Sequence, residues 1–419
     1  KRDYQGKLPV FPGAEGFGTD TPAGRGGTVV RVTTLEPAGP GSLDEALKAD
    51  GPKVIVFEVG GIIEYHGRFN LTTPFTTIAG QTAPSPGITI YGADFSVAAH
   101  DVLIRHIRFR SGDDPEGPHP DGRHGIQVAG RRDGKLKVNN VIIDHCSASW
   151  GLDEDMSTWF DGVSDVTVSN CIISEGLSRS IHPKGEHSKG FLIGDHSKRV
   201  AVTGCLFAHN SERNPETKGD VSSIIVNCMI YNPGNNAVHY HDGKGAGPML
   251  SSVVGNVMVP GESTSKKLRF VNSYGVAEGT RIYVDGNIAP GTQNGQWGAV
   301  KVKDGFSIKA ESPPVWFSPM TVRKAEEVEA LVLLRAGARP LDRDAVDARV
   351  VGEVRTRTGR IMDSPADAGG LPEVQPVFRK LEIPADPVND GDKNGYTNLE
   401  DWLNGMSAAL EGPSAGQPQ

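Results

Sequence analysis

Four stretches of the chain share one pattern: VIIDHCSAS (141–149), VTVSNCIIS (166–174), VAVTGCLFA (200–208) and SIIVNCMIY (223–231). In each stretch, a run rich in β-branched residues is followed by two linker residues and then a cysteine. The successive cysteines are 25, 34 and 23 residues apart. A side chain that returns to the same register every few tens of residues is typical of stacked, equivalent coils. The four cysteines therefore predict a solenoid.

The pattern continues on both sides of the cysteines. Apolar and polar residues alternate with a period of two before each bend, as they do in short β-strands. Coils of ~20–30 residues with short strands predict an all-β chain folded as a single-stranded parallel β-helix. The further members of the repeat are TTIAGQTAP (76–84) and VLIRHIRFR (102–110), with Gln81 and Ile107 in the cysteine position, then SVVGNVMVP (252–260) and RIYVDGNIAP (281–290).

The composition agrees with a fold of many short strands and turns. The chain of 419 residues holds 53 glycines and 29 prolines, and only 6% of its residues are aromatic. Its formal net charge of −8 argues against general nucleic-acid binding. The sequence contains no run of about 18 apolar residues, so it predicts no membrane-spanning helix. Equivalent stacked positions favour free, buried thiols over two disulfides.

Helical segments are expected at both ends, because the last coil of a solenoid exposes backbone and apolar surface. In GSLDEALKAD (41–50), Ser42 and Glu45 form an S-x-x-E capping box, which predicts an N-terminal capping helix. TVRKAEEVEALVLLRAGA (321–338) and LDRDAVDARVVGEVRTRTG (341–359) predict two helices near the C-terminus. The expected regions are a β-helix domain at 1–310, a helical extension packed on it at 311–385, and a loop and tail at 386–405.

The last of these regions contains a loop typical of calcium sites, in DGDKNGYTNLEDWLN (390–404). Oxygen-bearing side chains alternate around a glycine, as they do in the calcium loop of helix–loop–helix sites. The predicted ligands are Asp390, Asp392, Asn394, the carbonyl of Tyr396, and Asp401. An aspartate replaces the glutamate that usually ends such a loop. A polar turn without metal is the alternative, and either role is structural.

Seven stretches form a combination that is more specific than any one of them alone. They are FPGAEGFG (11–18), AGRGG (23–27), GPGSLDEAL (39–47), TIAGQTAP (77–84), IIDHCSASWGLDE (142–154), HPKGEHSKGFLIGD (182–195) and FAHNSERNP (207–215). Together, over roughly residues 9–290, they resemble the secreted pectate lyases of polysaccharide lyase family 1. The resemblance implies a right-handed parallel β-helix that needs Ca²⁺ and cleaves α-1,4-linked galacturonan by β-elimination. It also implies secretion and an acidic polysaccharide as the partner, and we expect a monomer.

This elimination needs a base that removes the proton α to a uronate carboxylate, and cationic groups for the sugar acids. Arg213, in SERNP, matches the family's Arg-x-Pro element, in which arginine is the catalytic base. A substrate clamp is the alternative role. Lys184, in HPKG, matches a substrate-binding lysine of the family, and Lys189 competes for that assignment. Lys218 and Arg179 are further candidates for binding substrate carboxylates.

The resemblance also implies a calcium ion beside the base. It places a calcium carboxylate at Asp153 or Glu154, after the SWG turn. Where the family usually has an aspartate, this chain has His124, so Asp121 is the candidate ligand in its place. Calcium prefers oxygen ligands, so a histidine would weaken or move the site. Glu216 is a second departure, since the family commonly has arginine there, and an acid disfavours a purely polyanionic subsite.

Three other features stay open at this stage. Asp144 and His145 stand at a coil bend, and we expect them to support the groove through hydrogen bonds. The run RHIRFR (105–110) is either a basic patch that faces substrate or a solvated exterior strand. Trp150 either stacks on a sugar or packs in the core or rim.

Four functions are compatible with these residues. The first is a calcium-dependent pectate lyase. The second is a lyase of the same fold that acts on another uronate polymer or on methylated pectin with a reduced calcium need, as His124 and Glu216 suggest. A β-helix hydrolase would instead use pairs of groove carboxylates, such as Asp153 and Glu154, as acid and base. A non-catalytic polysaccharide-binding solenoid would not depend on Arg213.

Overall fold

The chain winds through three β-sheets and visits them in the same order in each turn. The structure, which is a computed structural model, describes residues 8–412. Within each sheet, a strand pairs in parallel with the strand of the next turn; in the first sheet, for example, Val138–Asp144 pairs with Val163–Ser169, which pairs with Lys198–Thr203. The parallel β-helix predicted from the repeat is confirmed.

Within residues 8–412, the three sheets contain ten, nine and nine strands. Sheet 1 consists of β1 Thr28–Val32, β2 Lys53–Phe57, β5 Thr76–Ala79, β8 Val102–Arg105, β11 Val138–Asp144, β14 Val163–Ser169, β17 Lys198–Thr203, β20 Ser222–Val226, β23 Leu250–Val254 and β26 Arg281–Asp285. Sheet 2 consists of β3 Val59–Glu64, β6 Ile88–Tyr91, β9 Ile107–Arg110, β12 Ser147–Ser149, β15 Ile172–Ser174, β18 Leu206–Ala208, β21 Met229–Tyr231, β24 Val257–Val259 and the antiparallel β28 Val377–Phe378. Sheet 3 consists of β4 Arg68–Leu71, β7 Asp94–Val97, β10 Ile126–Ala129, β13 Met156–Trp159, β16 Phe191–Ile193, β19 Glu216–Thr217, β22 Val238–Tyr240, β25 Val271–Ser273 and β27 Val300–Val302.

The four cysteines occupy the corner between sheet 1 and sheet 2. All four are buried and free, as the repeat predicts. Each cysteine directly precedes a sheet 2 strand, and the register of β12, β15, β18 and β21 therefore stacks the cysteines in one column. The backbone N–H of Cys146 lies 3.5 Å from Sγ of Cys171, so the thiols also accept polar contacts along the column.

Left-handed backbone at one residue turns the chain from sheet 1 into sheet 2. The residue before each cysteine has φ between 48° at His145 and 64° at Gly204. In the next coil Asn256 holds the cysteine position, and its Oδ1 accepts the N–H of Cys228 at 2.8 Å. An asparagine amide thus replaces sulfur as the acceptor at the same corner.

The prediction that Gln81 holds the cysteine position is wrong. Ile88 pairs with Ile107, and Ile107 itself stands one coil below Cys146, so Ile88 has that position. Gln81 lies instead in a short 3-10 turn, Gly80–Thr82, that lengthens the bend. The extra residues shift the register of this coil, and a fixed sequence pattern does not reveal such a shift.

In the part of the chain that the structure describes, four α-helices lie outside the coils: α1 Leu43–Lys48, α2 Ala325–Arg335, α3 Ala345–Thr356 and α4 Asn398–Glu411. α1 packs against β1 and β4 and buries its three apolar side chains in the core. Its capping box is only half formed, because Ser42 accepts from the N–H of Glu45 but the Glu45 carboxylate binds the N–H of Gly41. Among the described residues, no helix has the length and apolar character needed to cross a membrane.

The C-terminal helices cover the outer faces of two sheets. α2 and α3 lie within the two stretches predicted to be helical, and Val332 and Val350 pack there with Leu206 of sheet 2. α4 was not predicted. It packs on the outer face of sheet 1, where Leu403 contacts the cluster that contains Val54. Burial of these faces leaves the outer face of sheet 3 as the one that these helices do not cover.

Buried arginines bind the C-terminal extension to sheet 2. The side chains of Arg108 and Arg110 are at most 1% exposed. Arg110 donates to Asp344 at 3.0 Å and to Asp347 at 2.9 Å, and both aspartates belong to the start of α3. The RHIRFR run is therefore neither a substrate-facing patch nor a solvated strand. Its cations need these partners, because a buried charge without a partner is strongly destabilising.

A second buried network holds the end of α4. Arg105 donates to Asp144 at 2.9 Å and to Glu411 at 2.6 Å, and Nδ1 of His145 lies 2.8 Å from Asp144. Burial opposes the charged form of Glu411, but the charges of Arg105 and His145 outweigh it and lower the pKa of Glu411 to about 2. Asp144 and His145 thus brace the C-terminal helix at the corner between sheets 1 and 2.

Glu411→Gln should lower the free energy of unfolding by about 3 kcal/mol near neutral pH, because it removes an acidic partner of the buried Arg105. Arg335 and His106 also face this carboxylate. A carboxyl group with a depressed pKa stabilises the fold above its unfolded pKa of about 4.3, and loses that contribution as the pH falls through its folded value of about 2. Urea denaturation should therefore show the difference between variant and parent shrinking between about pH 5 and pH 2. Glu373→Gln, at an exposed position, is the control, and a difference that does not depend on pH would contradict this account.

Candidate active site

The corner between sheet 2 and sheet 3 carries long loops. The chain leaves sheet 2 and enters sheet 3 through segments 111–125, 150–155, 175–190 and 209–215. These segments stack on one another because the coils beneath them are in register. Residues that are far apart in sequence therefore lie side by side here, and most of the predicted site residues are among them.

Arg213 stands in the tight turn between β18 and β19, in left-handed backbone with a φ of 63°. This conformation costs a non-glycine residue about 1–3 kcal/mol, so it persists only where the surroundings hold it. Two asparagine side chains do so. Asn210 donates to the carbonyl of Ile173 in the preceding coil at 3.0 Å, and Asn214 donates to the carbonyl of Asn236 in the following coil at 3.0 Å.

Two carboxylates hold the guanidinium of Arg213. Its Nη1 contacts Oε1 of Glu154, which comes from the segment before β13. Its Nε lies 2.7 Å from Oε2 of Glu216, without the alignment of a hydrogen bond. The side chain is 19% exposed, so solvent and solutes reach part of it. The structure thus brings Arg213 and Glu154 together, as the sequence predicts.

Glu216 is the buried centre of a second group of charges. Its side chain is enclosed by Nε2 of His239 at 3.3 Å and Nζ of Lys218 at 3.5 Å. Burial alone would raise the pKa of Glu216, but the charges of His239 and Arg213 outweigh it and hold this pKa well below its ordinary value. The acid that departs from the family pattern therefore does not face a substrate as a bare negative charge. Its contact with Nε holds Arg213 in position.

Asp153 lies among histidines from the 175–190 segment. Its Oδ1 is 3.1 Å from Nε2 of His187 and 3.8 Å from Nε2 of His182, and the two imidazole rings stack with centroids 3.8 Å apart. Burial opposes the charge on Asp153. The hydrogen bond from His187 and the charges of His124 and Arg213 outweigh that effect and lower the pKa of Asp153. Asp153 is therefore ionised over the ordinary pH range.

Two overlapping groups of side chains bring possible metal ligands within 4.8 Å of one another: Asp153 with His182 and His187, and Asp153 with His124 and Glu154. Nδ1 of His124 is 2.9 Å from Oε2 of Glu154. Three of these five side chains offer imidazole nitrogen, which suits zinc, nickel or copper, whereas calcium takes six to eight oxygen ligands. With two carboxylates among five side chains, the donor set matches a calcium site only in part.

Asp121, the third predicted oxygen ligand, forms an ion pair with a lysine. Nζ of Lys184 donates to Oδ1 of Asp121 at 2.6 Å at the rim of the cluster. This hydrogen bond lowers the pKa of Asp121 and raises the pKa of Lys184. Nε2 of His182 lies 3.6 Å from the same carboxylate. The pair thus borders the Asp153 group without joining either set of possible ligands.

The other predicted cations differ in position. Lys189 pairs with Glu212, next to Arg213, and Lys218 contacts Glu216 as described above. Arg179 is 76% exposed, and its ion pair is with Asp363 of the C-terminal extension, at 3.6 Å. The structure therefore brings Lys189 and Lys218 to Arg213 and does not join Arg179 to this cluster.

Trp150 is a core residue. Its side chain is fully buried, and its Nε1 donates to Oε2 of Glu175 at 3.0 Å. It packs with Leu152 and Leu177 beneath the loops. Trp150 therefore packs in the core, and the burial of its ring excludes stacking on a sugar.

The residues of the predicted C-terminal calcium loop lie together. Asn394 donates through Nδ2 to Asp392 at 3.1 Å and to Asp401 at 3.0 Å, and through its N–H to Asp390 at 3.1 Å. The N–H of Tyr396 donates back to Oδ1 of Asn394 at 2.7 Å. The side-chain oxygens of the predicted ligands thus accept hydrogen bonds within the loop itself. Calcium binding there stays a prediction.

His239, His241 and Tyr274 were not predicted and lie in later coils beside Glu216. His241 stacks on Tyr274 with ring centroids 4.7 Å apart, and its Nδ1 is 3.8 Å from Glu216. His239 follows Glu216 by 23 residues, the same spacing that separates the last two cysteines. The cysteine register therefore contained the signal for His239, whereas no comparable signal pointed to Tyr274.

Proteins similar to this chain match it over nearly its whole length. The probable pectate lyase C of Aspergillus flavus is 34% identical over 432 residues, which cover 96% of this chain and 95% of that protein. The probable pectate lyase C of Aspergillus fumigatus is 34% identical over 435 residues, which cover 95% of this chain and 94% of that protein. No family model matches the chain.

Solved structures share the fold at lower sequence identity. The major allergen from cedar pollen superposes with a TM-score of 0.55 at 19% identity, over 76% of this chain and 91% of that one. An arginine-to-lysine variant of Bacillus subtilis pectate lyase gives a TM-score of 0.52 at 14% identity, over 79% of this chain and 98% of that one. These two likenesses concern the fold. The 34% identity to the Aspergillus proteins over nearly the whole chain shows that the chain belongs to the pectate lyase family.

Proposed function

We propose that the chain is a secreted, monomeric lyase that cleaves α-1,4-linked galacturonan by β-elimination, with Arg213 as the base. The observation that carries the proposal is the fixed and partly exposed guanidinium of Arg213 between Glu154 and Glu216. The pectate lyase names of the full-length relatives support the substrate. Because this polymer is too large to enter a cell, an enzyme that acts on it works outside, and we propose secretion on that ground.

The reaction moves one proton and breaks one bond. Arginine is normally charged, so Arg213 first passes a proton to Glu154, its partner at Nη1, and then as the neutral guanidine takes the proton from C5, which is α to the uronate carboxylate. The electrons of that C–H bond form a double bond between C4 and C5, the C4–O bond breaks, and the leaving oxygen takes up a proton. No water is consumed. A positioned base contributes about 10²–10⁴-fold to such a reaction, and cations aimed at the carboxylate stabilise the charge that develops there.

The residues around Arg213 have separate tasks in this scheme. Glu216 and Glu154 fix the direction of the guanidinium from two sides. Lys189 and Lys218 lie at the same corner and supply positive charge for the substrate carboxylates. The bracing of the turn by asparagine side chains keeps the base in place, and a shift of about 1 Å at such a group costs on the order of 10²-fold in rate.

A hydrolase is less well supported by the same residues. That chemistry needs a protonated carboxyl group as general acid, with a raised pKa, beside an ionised one. Asp153 is a partly buried carboxylate of the cluster and Glu216 a buried one, and the pKa of each is lowered, that of Glu216 well below its ordinary range. Neither one holds a proton for a leaving group. Burial raises the pKa of the neighbouring Asp155, but this side chain is fully enclosed and cannot reach a substrate, so an elimination that needs no carboxylic acid is the better match.

The expected calcium ion fits the cluster only in part. Asp153 and Glu154 offer oxygen, but His124, His182 and His187 offer nitrogen at the same place. We therefore propose that the elimination on galacturonan proceeds with a reduced calcium need, which combines the substrate of the first lyase hypothesis with the weaker metal dependence of the second. The C-terminal loop is a separate candidate for calcium, and it lies outside the segments that carry Arg213.

Arg213→Ala should lower kcat on polygalacturonate by about 10²–10⁴-fold, because it removes the base. The ultraviolet absorbance of the unsaturated product gives the rate, and calorimetry gives the affinity for the polymer, which should be largely kept. Arg199→Ala is the matched control, since Arg199 pairs with Asp165 away from this corner. A loss of affinity equal to the loss of rate would make Arg213 a clamp, and a parent enzyme that forms no unsaturated product would contradict the lyase itself.

Glu216→Gln should lower kcat by roughly tenfold with little change in KM, because it loosens Arg213 without touching the substrate. Glu212→Gln is the control, as Glu212 is a more exposed carboxylate that pairs with Lys189. The measurement is steady-state kinetics on polygalacturonate for both variants. A rise in KM at constant kcat would show that Glu216 acts in substrate binding instead.

Removal of calcium with a chelator should lower the rate by less than about tenfold, because imidazole nitrogens and not oxygens dominate the donor set beside Arg213. The double variant D390N/D392N separates any effect of calcium at the C-terminal loop, which should change the melting temperature but not the rate. The idea fails if the chelator abolishes turnover in both proteins and calcium alone restores it.

A further inference from the structure

The outer face of sheet 3 continues beyond the Arg213 cluster for three coils. Glu216 on β19 pairs with His239 on β22, His239 with Asn272 on β25, and Asn272 with Lys301 on β27. Residues at one register point to the same side of a sheet, so these four side chains share one face. Neighbouring strands are about 4.8 Å apart, which puts Lys301 ~14 Å from Glu216 along this face.

A shallow cavity of 280 Å³ lies on these later coils. Three lysines, Lys267, Lys301 and Lys303, line it together with Asn272 and Tyr274. The lysines come from the segment before β25 and from β27 and the residue that follows it. The register of the coils, and not the sequence, brings them to one place.

These three lysines have no acidic partner among residues 8–412. In contrast, Lys184 and Lys189, nearer to Arg213, each form an ion pair with a carboxylate. The chain as a whole has a net charge of −8. A group of exposed cations without counter-charges on an acidic protein concentrates positive potential and attracts polyanions.

Tyr274 connects the cavity to the Arg213 cluster. Nζ of Lys303 lies 5.2 Å from the centroid of the Tyr274 ring, and His241 stacks on the ring at 4.7 Å. Nδ1 of His241 is 3.3 Å from Nζ of Lys218, which contacts Glu216 in turn. The wall from the cluster to the cavity is therefore continuous, and it offers aromatic faces and hydrogen-bonding groups to a sugar chain.

We propose that Lys267, Lys301 and Lys303 form a distal subsite for the carboxylates of a galacturonan chain that has its scissile bond at Arg213. The inference rests on the proposed function, and it adds a specificity to it. A methyl ester removes the charge that these lysines bind, so the subsite selects long and unesterified chains. Exposed charge pairs are individually weak, and three of them together give a moderate gain in affinity that salt screens.

The test compares K267Q/K301Q/K303Q with K135Q/K266Q/K380Q, which removes the same charge at three exposed lysines outside the cavity. The KM for polygalacturonate should rise roughly tenfold in the first triple variant and not in the second. Trigalacturonate places at most two sugars beyond the scissile bond and does not reach the cavity, so its KM should not change. The dependence of KM on salt should also become weaker in the first variant only.

Two results for K267Q/K301Q/K303Q would overturn the subsite. One is an unchanged KM for the polymer. The other is an equal rise of KM for trimer and polymer, which would show that the variant acts through the overall charge of the protein and not through a distal subsite. The proposed function fails separately, if the parent enzyme forms no unsaturated product at all. In that case, calorimetry with polygalacturonate still tests whether the three lysines bind the polymer. An affinity lost only in the first triple variant would support it, and equal affinities in both would contradict it.

Discussion

The in-register pairing of each strand with the next coil is the constraint on which the rest of this structure depends. It brings Glu154 from one loop to Arg213 in a later one, and it places His239 against Glu216. It also stacks the cysteines at one corner and the long loops at another. A slip by one residue in a single coil would turn its apolar side chains outward, so the apolar interior fixes this register strongly.

The C-terminal extension determines which part of the β-helix stays open. α2 and α3 cover sheet 2 and α4 covers part of sheet 1, through apolar contacts and through the buried Arg105 and Arg110. Such ion pairs add little net stability, because burying the charges costs free energy. Because breaking one of them is strongly destabilising, they favour a single position of the helices on the β-helix. Sheet 3, which these helices leave free, is the one whose loops carry Arg213. The extension thus leaves the outer face of sheet 3 uncovered by these helices.

The two departures from the family pattern have different consequences in three dimensions. Glu216 is enclosed by His239, Lys218 and Arg213, so its negative charge faces cationic and imidazole groups instead of solvent. His124 faces Glu154 and turns a carboxylate cluster into one with imidazoles. The first change places a carboxylate among cations that neutralise it, and the second changes the kind of ion that the corner suits.

Features that come from the repeat or from a known motif could be predicted from the sequence. Contacts between segments that are far apart in the chain could not. The cysteine spacing predicted the β-helix, and the SERNP motif pointed to Arg213. Gln81 was misplaced because an insertion lengthens one bend. The partners of Arg110 lie more than two hundred residues later in the chain, so no local pattern could reveal its burial. α4 is a different case, since its capping box at Thr397 was present in the sequence and was read as part of a calcium loop.

The most direct test of the register account is a crystal structure of the Arg213→Ala variant with a long galacturonan oligomer. The account predicts an extended chain on the outer face of sheet 3, with one sugar at the corner beside Glu154 and carboxylates further along at Lys301. An oligomer bound on another sheet, or one that crosses the coils without reaching Glu154, would contradict it.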